Sequence, residues 1–344
     1  MAKKAVVLFN LGGPDTSDAV EPFLFNLFND PAIIRLPTPF RWLVAKLISR
    51  RRAPVAQEIY SFIGGSSPIL EQTRAQADAL EASLATAGSD DYKLFISMRY
   101  WHPFSDETAQ AVRDWAPDEV ILLPLYPQFS STTTASSFTD WQRAAKKAGL
   151  DVPTARLCCY PMEEGFIAAY ADLISSKMKE IPDGQPLRLL FSAHGLPQKI
   201  VDQGDPYQFQ VEETAKRVAA KLNRPDLDWK VCYQSRVGPM KWLEPSTETE
   251  IHRAGEENIN LVIVPIAFVS EHSETLVELD IEYEKLAREK GVAGYYRVDT
   301  VGVHADFIAG LAAMVLKMKS ANVTSESGGR ICPTTFKDCL MLAS

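Results

Sequence analysis

The sequence has no uninterrupted apolar stretch approaching the roughly 20 residues that a helix needs to cross a bilayer. It has no export signal either. The opening MAKKAVVLFNLGGP carries two lysines and an apolar run. That run is too short for a signal-peptide core, and no small-residue cleavage site follows it. The expectation is a first buried strand and a cytoplasmic location. Basic residues are not in excess: 36 Lys and Arg stand against 44 Asp and Glu, a formal net charge of −8. This argues against the broad basic surface that nucleic-acid binding needs, so no nucleic-acid partner is expected. Cysteine is scarce and odd in number, with Cys158, Cys159, Cys232, Cys332 and Cys339. An odd set in a reducing compartment is not a disulfide framework. Nor is the composition that of a disordered chain, since 46% of residues are hydrophobic and 23% charged. With 344 residues there is length for two domains.

What is present is a recurrence of apolar, β-branched runs that each end in a polar or Gly/Pro-rich turn. They are Ala5–Leu11, Tyr92–Met98 and Glu119–Tyr126, then Leu187–Ser192, Trp229–Tyr233, Leu261–Val269 and Tyr295–Val301. Helical patterns such as Leu70–Ala87 and Gln210–Leu222 lie between them. Continuously apolar strands alternating with helices indicate parallel sheets covered on both faces, an α/β fold.

The two halves read as weak copies. Asn10–Pro14 (NLGGP) corresponds to Phe191–Pro197 (FSAHGLP), Leu94–Pro103 to Val231–Pro239, and Val120–Thr133 to Leu261–Thr275. Any two doubly wound domains align to some degree, but here polar residues fall at the same strand ends, which favours a duplication. In open parallel sheets ligands bind beyond the carboxyl ends of the strands. The unusual motifs all lie there, so two such edges facing each other would form a cleft. The first half carries an insertion within about residues 31–68. It includes Phe40, Trp42, Leu43, Val44, Leu47 and Ile48 with Arg41, Lys46, Arg50, Arg51 and Arg52. Two readings stand: an amphipathic helix packed on its own domain, or an apolar lip with a basic rim for a flat anionic ligand or a membrane surface.

Four strand ends carry chemistry. His194 follows a buried strand, where neutral imidazole can accept a proton or bind a metal. Glu271, Glu274, Glu278 and Glu282 fall on one helical stripe beside His272, opposite Leu276, Leu279, Tyr283 and Leu286. The stripe holds no basic residue before Lys285, so such a file could bind a cation or relay protons, with mutual repulsion raising its pKa values. A solvated acidic face is the plain alternative. Tyr233–Arg236 with Trp242, and Arg99–Tyr100–Trp101–His102, set polar donors beside aromatic faces, which suits a planar ligand carrying carboxylates.

These motifs resemble those of the ferrochelatases, from NLGGP through IYSFIGGSSPI, SMRYWHP, LPLYPQFSSTTT, FSAHGLP, GDPY and CYQSRVGPMKWLEP to PIAFVSEHSETLVELDIEY. The resemblance implies two Rossmann-like domains of the chelatase type, over about 1–155 and 156–303. A helix near 304–320 would pack on the first, and 321–344 would form a tail. It implies insertion of Fe2+ into protoporphyrin IX to give haem, with His194 and Glu274 binding iron and His194 taking pyrrole protons. Glu278 and His272 would extend the path. Arg99, Tyr100 and Trp242 would line the porphyrin pocket above Leu11, with Arg52, Tyr60, Ser67, Gln234 and Ser235 near the propionates. Two alternatives stay open: another tetrapyrrole chelatase, for coproporphyrin or cobalt, and a non-enzymatic two-lobed tetrapyrrole-binding protein. The chain is expected to be a monomer or homodimer that can touch a membrane peripherally.

Some ferrochelatases carry a [2Fe–2S] cluster, which takes four protein ligands. Cys158, Cys159, Cys332 and Cys339 would total four. Against this, the tail has two cysteines where clustered tails have three, Ser131 replaces the body cysteine of animal members, and adjacent side chains in extended chain point opposite ways.

Overall fold

The computed structural model describes residues 1–87, 90–319 and 322–341. The chain divides into two compact units, Met1–Cys158 with Ala312–Ser325, and Cys159–Leu311 with Glu326–Ser344. The division thus lies just past the expected 155/156 boundary. The tail is not a segment of its own: its first part belongs to the first unit and its remainder to the second.

The first unit contains β1 (Lys3–Asn10), α1 (Val20–Phe28), α2 (Thr38–Ser61), α3 (Ile69–Ala87), β2 (Asp91–Met98), α4 (Ser105–Trp115), β3 (Glu119–Pro124), α5 (Thr134–Ala148) and β4 (Thr154–Leu157). The second contains α6 (Glu164–Met178), β5 (Leu187–His194), α7 (Gln198–Asp202), α8 (Tyr207–Lys221), β6 (Asp228–Gln234), α9 (Thr247–Glu256) and β7 (Asn260–Pro265). A π-helix (Glu274–Tyr283), α10 (Glu284–Lys290) and β8 (Gly294–Arg297) follow. Next, α11 (Ala305–Lys317) begins in the second unit and ends in the first, and β9 (Val323–Thr324) adds to the first sheet.

Both sheets are parallel. Their orders are β2-β1-β3-β4-β9 and β6-β5-β7-β8. The first four strands of each follow one pattern, as a duplication requires. The central strands are sealed on both faces, with Val120–Leu123 and Leu261–Val264 all but inaccessible. That burial is why they read as unbroken aliphatic runs. Pro124 and Pro265 close β3 and β7 at equivalent registers, opposite Phe9 and Ser192, because proline cannot extend the ladder. Pro265 therefore ends β7 four residues short of the apolar run that predicts it.

The insertion is chiefly α2, and it does not pack as an ordinary amphipathic helix. Its buried positions are Ala45, Ser49, Ala53 and Tyr60, while Phe40, Trp42, Leu43 and Leu47 are each more than half exposed. Small residues let it lie close on α1, and the large apolar ones face outward. Lys46 pairs with Glu21 at 2.8 Å, Arg41 Nε donates to the Asn29 carbonyl at 2.8 Å, and Arg51 and Arg52 are exposed.

Candidate active site

His194 is the last residue of β5, and its register partner on β6 is Gln234, also a final residue. Both chains then turn. Gly195 is needed at this turn because a Cβ there would meet the Gln234 carbonyl at 2.9 Å and the Trp242 ring at 3.3 Å. Tyr207 Oη donates to the His194 carbonyl at 3.1 Å and fixes the strand end from the side of α8.

The imidazole Nδ1 lies 2.7 Å from Glu274 Oε2. A carboxylate at that nitrogen holds the proton there, leaving the lone pair on Nε2. With 40% of its side chain accessible, His194 can offer that lone pair to a substrate. Glu274 and Glu278 both stand on the π-helix, whose wider i→i+5 turn brings the two acids to the same partner. Ser235 Oγ is 3.2 Å from Glu274 Oε2 and 2.5 Å from Glu278 Oε2. The Ser235 backbone N–H donates to Glu278 Oε1 at 2.8 Å. Gln234 Nε2 donates to Glu278 Oε2 and to the Glu274 carbonyl, each at 3.0 Å, and Tyr283 Oη donates to Glu278 Oε1 at 3.0 Å.

The electrostatics separate the two acids. Burial pushes Glu274 up, but the charge and hydrogen bond of His194 dominate and bring it down to about 2. Burial raises Glu278, and the Glu274 charge raises it further. For His194 burial acts downward, yet attraction to Glu274 and Glu278 leaves its pKa above the ordinary imidazole value. The accessible ring makes the carboxylate attraction the stronger influence. The site is thus a hydrogen-bonded His194–Glu274 pair, which becomes an ion pair when the imidazole takes up a proton, backed by a second acid that holds a proton more readily.

Glu271 does not join this file. It pairs with Arg297 from β8 at 2.7 Å, accepts from the Thr300 backbone N–H at 2.8 Å, and Arg297 also grips both oxygens of Asp280 at 2.6 Å. The acidic stripe therefore splits: Glu271 is neutralised from another strand, Glu274 and Glu278 face His194, and Glu282 is exposed. His272 is buried, with Nδ1 held 3.0 Å from the Ser270 carbonyl and its ring edge on Phe268. Gln234 and Ser235, expected beside propionates, have their donors turned to the acids instead.

In the first unit the strand-end residues form their own network. Asp30 Oδ2 accepts from Arg99 at 2.8 Å, from Tyr100 Oη at 2.8 Å and from Ser136 Oγ, and Arg99 Nε donates to Ser136 Oγ at 2.7 Å. Burial and the Asp30 charge hold Tyr100 well above the usual phenol range. Tyr60 and Tyr100 pack with Val20, Phe23 and Leu24, against half-buried Leu11. Ser67 approaches Gly13, where a Cβ would sit 2.5 Å from it. Arg52 lies over the Phe28 ring at 5.9 Å. Trp242, buried in the second unit, bridges to Pro197. Asp30, Ser136, Tyr207, Tyr283 and Arg297 were not singled out from sequence. Tyr207 had a signal there as the end of GDPY, and Tyr283 was read only as part of the core-facing stripe, whereas its hydroxyl reaches Glu278.

The four-cysteine cluster is not supported. Cys159 and Cys332 sulfurs meet the same Gln210 amide nitrogen, at 3.4 and 3.0 Å. Cys158 belongs to the other unit, where its N–H bonds the Thr324 carbonyl. Among the described residues no group of three or more His, Cys, Asp and Glu has metal-holding geometry.

A family profile described as Ferrochelatase matches residues 3–319. The chain is 52% identical over 345 residues to a ferrochelatase of Rickettsia bellii, a match covering 99% of this chain and 95% of that protein. It is 53% identical over 340 residues to a ferrochelatase of Caulobacter vibrioides, covering 98% and 97%. Among solved structures, SirB from Bacillus subtilis with Fe3+ matches with a TM-score of 0.51 at 12% identity, covering 92% of this chain and 95% of that one. That last likeness is one of fold alone.

Proposed function

The chain belongs to the ferrochelatase family and inserts ferrous iron into a porphyrin in haem synthesis, and we propose that His194 and Glu274 carry the insertion, with protoporphyrin IX as the porphyrin. The observation that carries the assignment is the 2.7 Å contact between His194 Nδ1 and Glu274 Oε2. Iron meets an imidazole Nε2 and a carboxylate, nitrogen and oxygen ligands that release a metal more easily than thiolates do. Two N–H protons leave the porphyrin core as two Fe–N bonds replace them. Once iron has passed from Nε2 to the porphyrin nitrogens, that lone pair is free to accept one proton as an N–H, the carboxylate on Nδ1 stabilising the imidazolium that forms, and the second proton passes to a carboxylate oxygen of Glu278. Glu278, with its raised pKa, is placed to hold a proton one step further from the metal.

Buckling the ring so that pyrrole nitrogens leave its plane must draw on binding energy from the rest of the ligand. Trp242, whose ring lies beside the turn that follows His194, supplies apolar surface for this. Arg99 is committed to Asp30, so its part is to hold the strand end in place. The exposed apolar face of α2 is assigned to peripheral contact with a membrane, where porphyrins partition. No helix among the described residues is long and apolar enough to cross one. A four-thiolate cluster is not supported, and no step runs through it. Similarity over the full length at about half identity does not favour a non-enzymatic binding protein.

The test is His194→Ala, assayed by visible absorbance with Fe2+ or Zn2+ and, in parallel, protoporphyrin and coproporphyrin. A general base contributes about 10²–10⁴-fold, so turnover should fall by at least about 10²-fold while porphyrin binding, followed by fluorescence, persists. Turnover within a few-fold of wild type refutes the assignment, and a preference for coproporphyrin refutes the substrate.

A further inference from the structure

The described residues include four non-glycine residues with positive φ: Ala116, Asn223, Ser235 and Asn258. Three of these close helices. Ala116 is the C-cap of α4, and Asn223 and Asn258 directly follow the C-caps of α8 and α9. Helix ends favour the left-handed conformation, and asparagine tolerates it. Ser235 is different. It sits at φ +60° immediately after β6, at the carboxyl edge of the sheet, with a side chain that the left-handed region disfavours.

A glycine would satisfy that backbone without strain and would keep the N–H that bonds Glu278 Oε1. Only the hydroxyl would be lost. That hydroxyl touches both acids of the site, at 3.2 Å from Glu274 Oε2 and 2.5 Å from Glu278 Oε2. Strain held at a functional site points to what the strained residue does. We propose that Ser235 is a positioning residue for metal capture: its hydroxyl ties Glu274 and Glu278 together, and so keeps Glu274 Oε2 on His194 while Oε1 stays available to the incoming ion.

The hydrogen bonding fits this role. Glu274 Oε1 has no protein partner among the described residues, whereas Oε2 has two, His194 and Ser235. A serine hydroxyl carries one proton, which it can donate to either acid, so the two carboxylates share one donor. Gln234 completes the clamp. Its carbonyl accepts from Ser192 Oγ at 2.8 Å, which turns its amide onto the π-helix. Two consecutive residues of one strand end thus set the orientation of two acids on a neighbouring helix. The propionate role that sequence similarity implies for Ser235 leaves this strained hydroxyl, spent on carboxylates, unexplained.

This inference rests on His194 and Glu274 being the metal-handling pair. The experiment compares Ser235→Gly, Ser235→Ala and Ser235→Cys with wild type, using Zn2+ and protoporphyrin, and includes His194→Ala in the same series. Loss of one hydrogen bond to a charged group corresponds to roughly a tenfold change. The KM for Zn2+ should rise about tenfold in the glycine and alanine variants. The KM for porphyrin should hold, and Ser235→Gly should melt no lower than wild type. Ser235→Cys, which keeps a donor, should recover part of the Zn2+ affinity. An unchanged KM for Zn2+ in both variants overturns the inference. So does a parallel loss of porphyrin affinity and melting temperature, which would mark a merely structural tie. Full turnover by His194→Ala instead removes the reading on which the inference stands, whatever Ser235 does.

Discussion

His194 on β5 and Glu274 on the π-helix, 80 residues apart in the chain, are joined by a 2.7 Å hydrogen bond that makes one an imidazolium-stabilising partner of the other. The consequence for pH is directional. Attraction to Glu274 and Glu278 holds the His194 pKa above 6.5. The proton-accepting form is the neutral one, so it is lost as pH falls through that raised value. The acid limb of kcat/KM, which reports the free enzyme, should have its midpoint above 6.5. Glu278→Gln removes one of the charges that raise it and should move the limb toward lower pH. A pH–rate profile with no acid limb above the ordinary imidazole value would contradict this.

Asp30 should prove a stability residue of the first unit. It is buried, and one oxygen serves Arg99, Tyr100 and Ser136. Removing one partner of a buried ion pair strands the other and costs about 3–5 kcal/mol. For a unit of this size that is on the order of 10 °C in melting temperature. Asp30→Ala in the full chain should show this by calorimetry, and a shift within about 2 °C would place Asp30 among ordinary surface residues.

The outward face of α2 should bind lipid. Sedimentation with anionic liposomes is expected for the wild type, weakening as salt rises, since Arg50, Arg51 and Arg52 are exposed and screened by added ions. Replacing Trp42 and Leu43 by serine should abolish sedimentation without loss of fold. Undiminished sedimentation of that double variant would detach α2 from the membrane.

Glu326 gives a second pH effect, remote from His194. Burial pushes its carboxyl up to about 8, with the Glu163 charge adding to it. One of its oxygens is buried without a hydrogen-bond partner. The folded pKa lies above the unfolded one, so its contribution is full at low pH and is lost as pH rises through about 8. Wild type should therefore lose more melting temperature between about pH 6 and pH 9 than Glu326→Gln. Equal losses in the two proteins would show that Glu326 titrates elsewhere.

The parts visible in sequence were those that one strand or helix determines alone. Val120–Leu123 and Leu261–Val264 are aliphatic because both faces are sealed, and that pattern survives in any alignment-free reading. The carboxyl-edge location of His194 and Gln234 follows from it. What escaped depends on elements meeting in space. Arg297, which removes Glu271 from the acidic file, lies 26 residues away on another strand. Asp30 sits in a stretch with no motif. β4 and β9 are too short, at four and two residues, to show a period. Ten residues likewise cannot separate a π-turn from an α-turn by hydrophobic spacing, so Glu274 and Glu278 read as a plain α-helical stripe. The strain at Ser235 is a backbone angle, and no residue type announces it.

The pairing of β9 with β4 sets an order of events at the ribosome. Residues 1–158 emerge first and can assemble β2-β1-β3-β4, but the edge of β4 stays open until Val323 and Thr324 have been synthesised. An open parallel edge is a template for pairing with other chains. While Cys159–Leu311 of the second unit is being translated, then, the nascent protein carries an unpaired edge that Val323 and Thr324 will cover.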